Sequence, residues 1–189
     1  MDVVSFTRMA DGTAEEYRFL DRQLAPHIAR MRSELPRFAL KLLREQSGLT
    51  LGYRIDRFQH SLQTATRAFR DGVDEETVVT ALLHDIGDGV GIFNHSEFCA
   101  ALLRPFVSER NYWVVKHHGL FQGYYYYHHM GRDRNARDRL QDHPHFKACV
   151  DFCENWDQIS FDPDYDTMPL EAFEPMVERL FQKEPRSHD

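Results

Sequence analysis

The sequence predicts an all-α fold, a bundle of helices in a single domain, and three observations support this prediction. Apolar residues recur at helical spacing along most of the chain, whereas the alternating pattern typical of strands is nearly absent. With 189 residues, of which 42% are hydrophobic and 13% aromatic, the chain is long enough to bury a substantial core. No internal repeat or low-complexity linker divides the sequence, so we expect residues 1–189 to form one domain.

Two N-terminal helices are predicted ahead of the central part of the chain. The segments 15–33 and 37–46 both carry apolar residues at helical spacing, and the second segment stops at Ser47 and Gly48. We expect these two helices to pack around the central part as additions to it.

A helical hairpin is predicted next. The first of its helices has one apolar face and ends at Asp71 and Gly72, and Asp74 can cap a second helix that runs to His84 and Asp85. The residues of the apolar face are Phe58, Leu62, Ala65 and Phe69.

Four further helices complete the predicted set. Asn94 and Glu97 have the spacing of a capping box at the start of one helix, and another runs from Ser108 to Gly119. The last two predicted helices cover residues 145–157 and 170–182.

The charge of the chain favours a small-molecule partner. The formal net charge is −7 and Lys and Arg form no long run, so the sequence lacks the basic surface that binds nucleic acid or anionic membranes. The N-terminus has no signal-peptide pattern and no apolar run approaches the length of a membrane span, which predicts a cytoplasmic protein. The three cysteines, Cys99, Cys149 and Cys153, are expected to be reduced and buried.

Histidines and aspartates lie where the predicted helices could bring them together as metal ligands. His60 is near the start of one hairpin helix, and His84 and Asp85 end the other; helical periodicity alone does not show where His60 points. His95 follows a Gly-rich turn, and His118 is near the end of its predicted helix.

Asp157 falls on the apolar face of its predicted helix, where an unpaired carboxylate would cost several kcal/mol. That face consists of Phe146, Cys149, Val150, Cys153 and Asp157. A metal ion is a suitable partner, because imidazole and carboxylate ligands together suit Fe, Mn or Zn, and Asp85 could bridge two such ions.

The order His60, His84-Asp85, Asp157 resembles the H…HD…D signature of the HD-domain superfamily, over roughly residues 53–157. The resemblance implies an all-helical HD domain with additional N-terminal helices and a C-terminal helix packed around it. It also implies that His60, His84 and Asp157 hold one metal ion and that Asp85 bridges to a second.

In superfamily members with two metals, further histidines complete the second ion's ligands, which implies this role for His95 and His118. Adjacent helical residues point about 100° apart, so we favour His118 over His117, although some relatives use both.

Tyr53 and Asp56 precede His60 by seven and four residues. This Tyr-x-x-acid element resembles a small branch of the superfamily, the mixed-valent diiron oxygenases that cleave carbon–phosphorus bonds in 1-hydroxyphosphonates. The resemblance implies two iron ions, an Fe(II)/Fe(III) pair, with dioxygen as co-substrate. It further implies that Tyr53 is a lid over the iron pair and that Asp56 meets the amino end of the substrate.

Within this branch the chain is most similar to enzymes acting on (R)-1-hydroxy-2-(trimethylammonio)ethylphosphonate, and is related to the 2-amino-1-hydroxyethylphosphonate dioxygenases. Asp56 is shorter than the Glu of the latter, and the aromatic run 124–127 can offer cation–π faces to a quaternary ammonium group. The implied products are glycine betaine and phosphate. The expected substrate-binding residues are Asp56, Lys116, His117, Gln122 and Tyr124, with the arginines of segment 132–139 as further candidates for the phosphonate.

Two other functions stay open at this point. Most HD-domain proteins are phosphohydrolases, so a metal-dependent hydrolase of a small phosphate ester or nucleotide is the main alternative. A catalytically silent sensor is disfavoured, because we expect no second domain to carry a signal. We expect a monomer or a homodimer.

Overall fold

The all-α fold is confirmed. The computed structural model describes residues 2–186, and within this range the chain forms helices and no strand. Met1 and residues 187–189, which the single-domain prediction includes, lie outside the described residues. The α-helices are α1 (Ala14–Arg44), α2 (Arg57–Arg70), α3 (Glu75–Leu83), α4 (His95–Leu103), α5 (Glu109–Tyr126), α6 (Phe146–Phe152) and α7 (Glu174–Gln182). Shorter 3₁₀ turns lie at Met9–Asp11, Tyr127–Met130, Ala136–Leu140 and Leu170–Ala172, and a π-helical turn at Cys153–Asp157.

Helix α1 is continuous, so the prediction of two N-terminal helices is wrong. Thr13 begins it with a complete capping box, in which Thr13 and Glu16 each accept from the other's backbone N–H. Pro36, which favours a break because it lacks a backbone N–H, lies inside the helix and is buried. The apolar residues that follow it pack into the core, and this packing outweighs the local preference.

The hairpin of α2 and α3 forms as predicted. Helix α2 ends at Arg70, and Asp74 caps α3 by accepting from the backbone N–H of Thr77 at 2.9 Å. The two helices pack against each other along their buried faces.

Helix α4 begins at His95 after Asn94, but the Asn94 side chain makes no capping bond, so the predicted capping box is not formed. Helix α5 begins after Ser108, as predicted, and continues beyond Gly119 to Tyr126. Gly119 therefore lies within the helix, where a Cβ atom would stand 3.1 Å from Oγ of Ser96. The glycine permits the close approach of α4 to α5.

The remaining helices enclose one core. Helix α5 packs between α4 and α6, the C-terminal part of α1 packs on α7, and α7 also contacts α3. All three cysteines are buried free thiols, as expected. Within the described chain, no helix combines the length and apolarity needed to cross a bilayer.

Candidate metal centre

Three buried histidines point their Nε2 atoms toward a common centre because backbone carbonyls hold their Nδ1 atoms. His60 Nδ1 donates to the carbonyl of Ser160 at 2.9 Å, and His84 and His118 donate to carbonyls three residues earlier in the chain, at 2.7 and 2.6 Å. Such an outer hydrogen bond fixes the tautomer and leaves the lone pair of Nε2 for a metal. Each of the three side chains is at most 3% exposed.

The first group of donor atoms joins α2, α3 and the π-helical turn. His60 Nε2 lies 3.4 Å from His84 Nε2 and 3.2 Å from Oδ1 of Asp157, and His84 Nε2 lies 3.6 Å from the same oxygen. The π-helical turn at 153–157 adds a residue to the helical turn and so determines where Asp157 points.

Asp85 faces two groups of histidines with its two carboxylate oxygens. Its Oδ2 lies 3.5 and 3.2 Å from Nε2 of His60 and His84. Its Oδ1 lies 2.9 and 3.3 Å from Nε2 of His118 and His95. The second pair is itself close, with 3.4 Å between the Nε2 atoms of His95 and His118. A carboxylate placed in this way is suited to bridge two ions.

The chemistry of these donors fits metal ions. Oδ2 of Asp157 is buried without a hydrogen-bond partner, in a site where an unpaired charge costs several kcal/mol. The close donor atoms form three overlapping groups, each within 4.8 Å. These groups are His60–His84–Asp157, His84–Asp85–His118 and Asp85–Asp88–His95. Neutral imidazoles and carboxylates in this arrangement are typical ligands of Fe, Mn and Zn.

The buried charges shift the protonation of two of these residues. Burial by itself lowers the pKa of His84, but the carboxylates of Asp85 and Asp157 outweigh burial and raise the pKa to about 10. Burial raises the pKa of Asp157, but His84 and His60 lower it well below its usual range. A positive charge in this site is thus strongly favoured, whether protons or metal ions carry it.

Arg57 and Asp88 belong to the site although the sequence analysis did not select them. The Arg57 guanidinium bonds the carboxylate of Asp85 through Nη2, and its Nε donates to Oδ2 of Asp88 at 2.6 Å. The other oxygen of Asp88 lies 3.4 Å from Nδ1 of His95, the one histidine of the cluster whose Nδ1 faces a carboxylate. The position of Asp88, three residues after Asp85 in the turn that follows α3, was the available signal.

A cavity of about 340 Å³ opens onto the cluster. Its wall includes His95, His118, Asp85 and Asp157 together with Arg57 and Asp88. The rest of its wall includes the aromatic and amide side chains of Tyr53, Gln122, Tyr125, Tyr126, Gln158 and Phe161.

Tyr53 lies at the exposed edge of this cavity. It is 53% exposed, and its ring stacks on Phe161 with 4.7 Å between the ring centroids. Phe161 stacks in turn on the ring of His60 at 4.5 Å. Tyr53 follows a turn in which Leu51 and Gly52 have positive φ angles of 48° and 91°, a conformation that costs a leucine energy.

Four residues expected to bind substrate do not line this cavity. The carboxylate of Asp56 instead caps α2, because its two oxygens accept from the backbone N–H groups of Gln59 and Gly48, both at 2.8 Å. The ring of Tyr124 lies against the guanidinium groups of Arg134 and Arg137, at 4.1 and 3.9 Å.

Lys116 and His117 are turned away from the cluster, on other faces of α5. Lys116 lines a separate shallow cavity and lies near the ring of Tyr112. His117 packs on Trp113, with 4.4 Å between ring centroids, and burial together with the charge of Lys116 lowers its pKa to about 4. Gln122 does line the central cavity, one turn after His118.

Comparison with known proteins identifies one family. The family model for the HD domain matches residues 57–151, which is half of the chain. The matched segment contains His60, His84, Asp85, His95 and His118, and it ends six residues before Asp157. No curated protein matches the chain significantly.

Proposed function

The chain belongs to the HD-domain family, and we propose that it is a dinuclear iron oxygenase of 1-hydroxyphosphonates. The proposed reaction converts (R)-1-hydroxy-2-(trimethylammonio)ethylphosphonate and one dioxygen to glycine betaine and phosphate. One oxygen atom enters the carboxylate and the other enters phosphate, so the reaction balances without an external reductant. The family and the donor cluster by themselves indicate a metal-dependent enzyme.

The observation that carries the proposal is the position of Asp85 between two histidine pairs. His60, His84 and Asp157 would hold one iron, and His95 and His118 the other, with Asp85 shared between them. Two bound irons would supply the redox chemistry that activates dioxygen and the Lewis acidity that binds an anionic substrate. The absence of a thiolate among the donors supports iron in an oxygenase rather than a structural zinc site.

The residues around the cavity suit a zwitterionic substrate. Tyr53, Tyr125 and Tyr126 line the cavity, where their aromatic rings can contact a trimethylammonium group. The side-chain amide of Gln122, which lines the cavity, can donate to a phosphonate oxygen. Tyr53, stacked on Phe161 at the cavity edge, would act as the lid that excludes water from the substrate.

Hydrolysis of a phosphate ester is the second candidate, and Asp88 is the observation that favours it. Asp88 adds a third carboxylate beside Asp85 and His95. Carboxylate-rich sites suit Mg²⁺ or Mn²⁺, which activate water rather than dioxygen. Hydrolysis would need no aromatic lid.

One experiment separates the two functions. The purified protein is loaded with iron under argon, its iron is counted, and phosphate release from the hydroxyphosphonate is measured with and without dioxygen. Release that requires dioxygen and yields one glycine betaine per phosphate supports the oxygenase. Phosphate release from p-nitrophenyl phosphate at equal rates in argon and air, with none from the hydroxyphosphonate, would assign hydrolysis instead.

A further inference from the structure

The N-terminal half of α1 extends away from the helical body as an arm. Every residue from 21 to 31 is exposed, although all of them are helical. Beyond the arm, the same helix packs against α7 and α2. The chain ahead of the helix folds back on its first turns only, where Phe6 contacts the ring of Tyr17 at 5.5 Å and Ser5 bonds Glu16.

The arm carries an apolar stripe that the described chain covers only at its N-terminal end, where Phe6 contacts Tyr17. Leu24, Ile28 and Met31 are 50%, 52% and 45% exposed, and Tyr17 and Leu20 continue the stripe toward the N-terminus. These five residues fall within about 80° of one another around the helix axis. Pro26 lies on the opposite face, so its ring does not obstruct a partner on the stripe.

An exposed helical arm of this kind needs contacts with another molecule to stabilise it. Isolated helices of this length are marginal in water, and Pro26 removes one backbone hydrogen bond in the middle of the arm. The capping box at Thr13 stabilises only the first turn. Association along the stripe would bury the apolar side chains and stabilise the arm.

The spacing of the stripe indicates what the partner is. The intervals between Tyr17, Leu20, Leu24, Ile28 and Met31 are three, four, four and three residues, a sequence that is the same in both directions. Two antiparallel copies therefore match residue to residue about Leu24. Leu24 would meet Leu24 of the other copy, Leu20 would meet Ile28, and Tyr17 would meet Met31.

Charge also favours two antiparallel copies. Glu16 near the start of the stripe and Arg32 near its end flank it, although Glu16 already accepts from Ser5 and Thr13 and Arg32 already pairs with Glu184. In the antiparallel pairing about Leu24, Glu16 of one copy lies opposite Arg32 of the other and the two helix dipoles oppose each other. Parallel packing would instead place Glu16 beside Glu16 and Arg32 beside Arg32. Over residues 14–31 three arginines balance three acids, which is not the basic composition of a helix that binds anionic membranes.

We propose that this chain forms a two-fold symmetric homodimer through antiparallel pairing of the arms of α1, with Leu24 on the symmetry axis. The interface is separate from the metal centre, so the proposal is independent of the reaction catalysed.

The first test measures the mass of the full-length protein in solution by sedimentation equilibrium. The wild-type chain should be a dimer at micromolar concentration, and Leu24→Glu should be a monomer, because it places two carboxylates face to face on the axis. Gln23→Glu is the matched control: it makes the same charge change at an exposed position of the arm outside the stripe, and it should stay dimeric. Circular dichroism checks that both variants keep the helical body.

The second test determines the orientation of the two helices by oxidative cross-linking. Antiparallel pairing predicts that Leu24→Cys cross-links to itself, and that Ile28→Cys cross-links only when mixed with Leu20→Cys. The wild-type cysteines are buried and provide the background. A monomeric wild type, a dimer that Leu24→Glu leaves intact, or equal self-linking at positions 20, 24 and 28 would each overturn the proposal. Sedimentation of a monomeric wild type with phosphatidylcholine–phosphatidylglycerol vesicles would assign the stripe to a lipid surface instead.

Discussion

At the scale of single residues, Asp88 contacts His95, the most exposed histidine of the cluster, and can orient its ring. The side chain of His95 is 25% exposed, and its Nδ1 faces Asp88 rather than a backbone carbonyl. Arg57 fixes Asp88 from the other side through a bond of 2.6 Å. Burial and the nearby charge of Asp85 raise the pKa of Asp88, and the charges of Arg57 and His95 oppose this shift.

Replacing Asp88 should therefore affect one of the two proposed metal ions. We expect Asp88→Asn to weaken the ion held by His95 and His118 at least tenfold, because a lost outer-shell partner typically costs ten- to a hundredfold in metal affinity. The ion held by His60, His84 and Asp157 should stay. Metal content by mass spectrometry should fall from about two ions per chain toward one, with loss of the spectroscopic coupling between them.

Asp151→Asn is the control for this variant, since Asp151 pairs with Lys147 on the surface and lies outside the cluster. Two tightly bound ions in Asp88→Asn would show that His95 needs no orientation by this carboxylate. Loss of both ions would show that Asp88 supports the whole centre rather than one end of it.

The neighbours His117 and His118 allow a second comparison at this scale. His118 Nε2 lies 2.9 Å from Asp85, whereas His117 packs on Trp113 outside the cavity. His118→Ala should abolish turnover and remove an ion, and His117→Ala should keep at least half of the metal and activity. Iron content and phosphate release measured on both variants check this, and a larger loss in His117→Ala would reverse the assignment.

The sequence indicated which histidines and aspartates form the donor cluster, but not the ion pairs that these residues make. The order of the six expected ligands, from His60 to Asp157, is visible in the sequence, and the structure brings these side chains together. The ion pairs of Arg57 join residues 28 and 31 positions apart, which helical periodicity does not reveal. Asp56 was interpreted from its position alone, and the same position suits a helix cap.

At the scale of elements, Asp56 links the turn at 48–53 to α2. Because it accepts from the backbone of both Gly48 and Gln59, we expect Asp56→Ala to lower the free energy of unfolding by about 1–2 kcal/mol, the usual cost of losing such a cap. Urea denaturation measures this loss. The exposed Asp164 provides the control, and Asp164→Ala should change stability by less than about 0.5 kcal/mol.

Kinetics on the same variant test the role expected from the resemblance. With the carboxylate facing the backbone, Asp56→Ala should leave the KM for the trimethylammonium substrate within about twofold of wild type. A rise of ten- to thirtyfold in KM without loss of stability would show that the carboxylate reaches the substrate after all.

Helix bounds were predictable where local chemistry decides them, and not where packing does. Asp74 and Ser108 begin α3 and α5 as predicted, since a capping side chain acts on its own next residues. The helix ends predicted at Ser33 and Gly119 do not occur in the structure. In both cases contacts with distant residues, the core around α7 and the close approach of α4, determine the outcome.

At the scale of the whole molecule, the donor cluster is buried among several helices, so metal binding there would be coupled to stability. Asp85 and Asp157 are each 2% exposed, and α2, α3, α5 and the π-helical turn meet around them. Without metal, protonated histidine and Arg57 must neutralise these carboxylates. Metal ions replace the protons, because imidazole binds metal only in its neutral form.

This exchange predicts how the stability of the metal-free protein depends on pH. The pKa of His84 is raised in the folded state to about 10 from an unfolded value of 6.5. The stabilising contribution of its charge is therefore complete below about pH 6.5 and is lost as the pH rises through about 10. The melting temperature of chelator-treated protein should fall steadily from pH 7 to pH 9.

The increase in melting temperature that metal binding causes should depend on pH in the opposite sense. As the pH rises from 7 to 9, fewer protons compete for His84, so the increase in melting temperature caused by anaerobic Mn²⁺ should grow. Differential scanning calorimetry with and without Mn²⁺ at three pH values measures both trends. A metal-free melting temperature that is constant over this range, or a metal-induced increase that shrinks with pH, would contradict the view that protons and metal ions exchange at one buried centre.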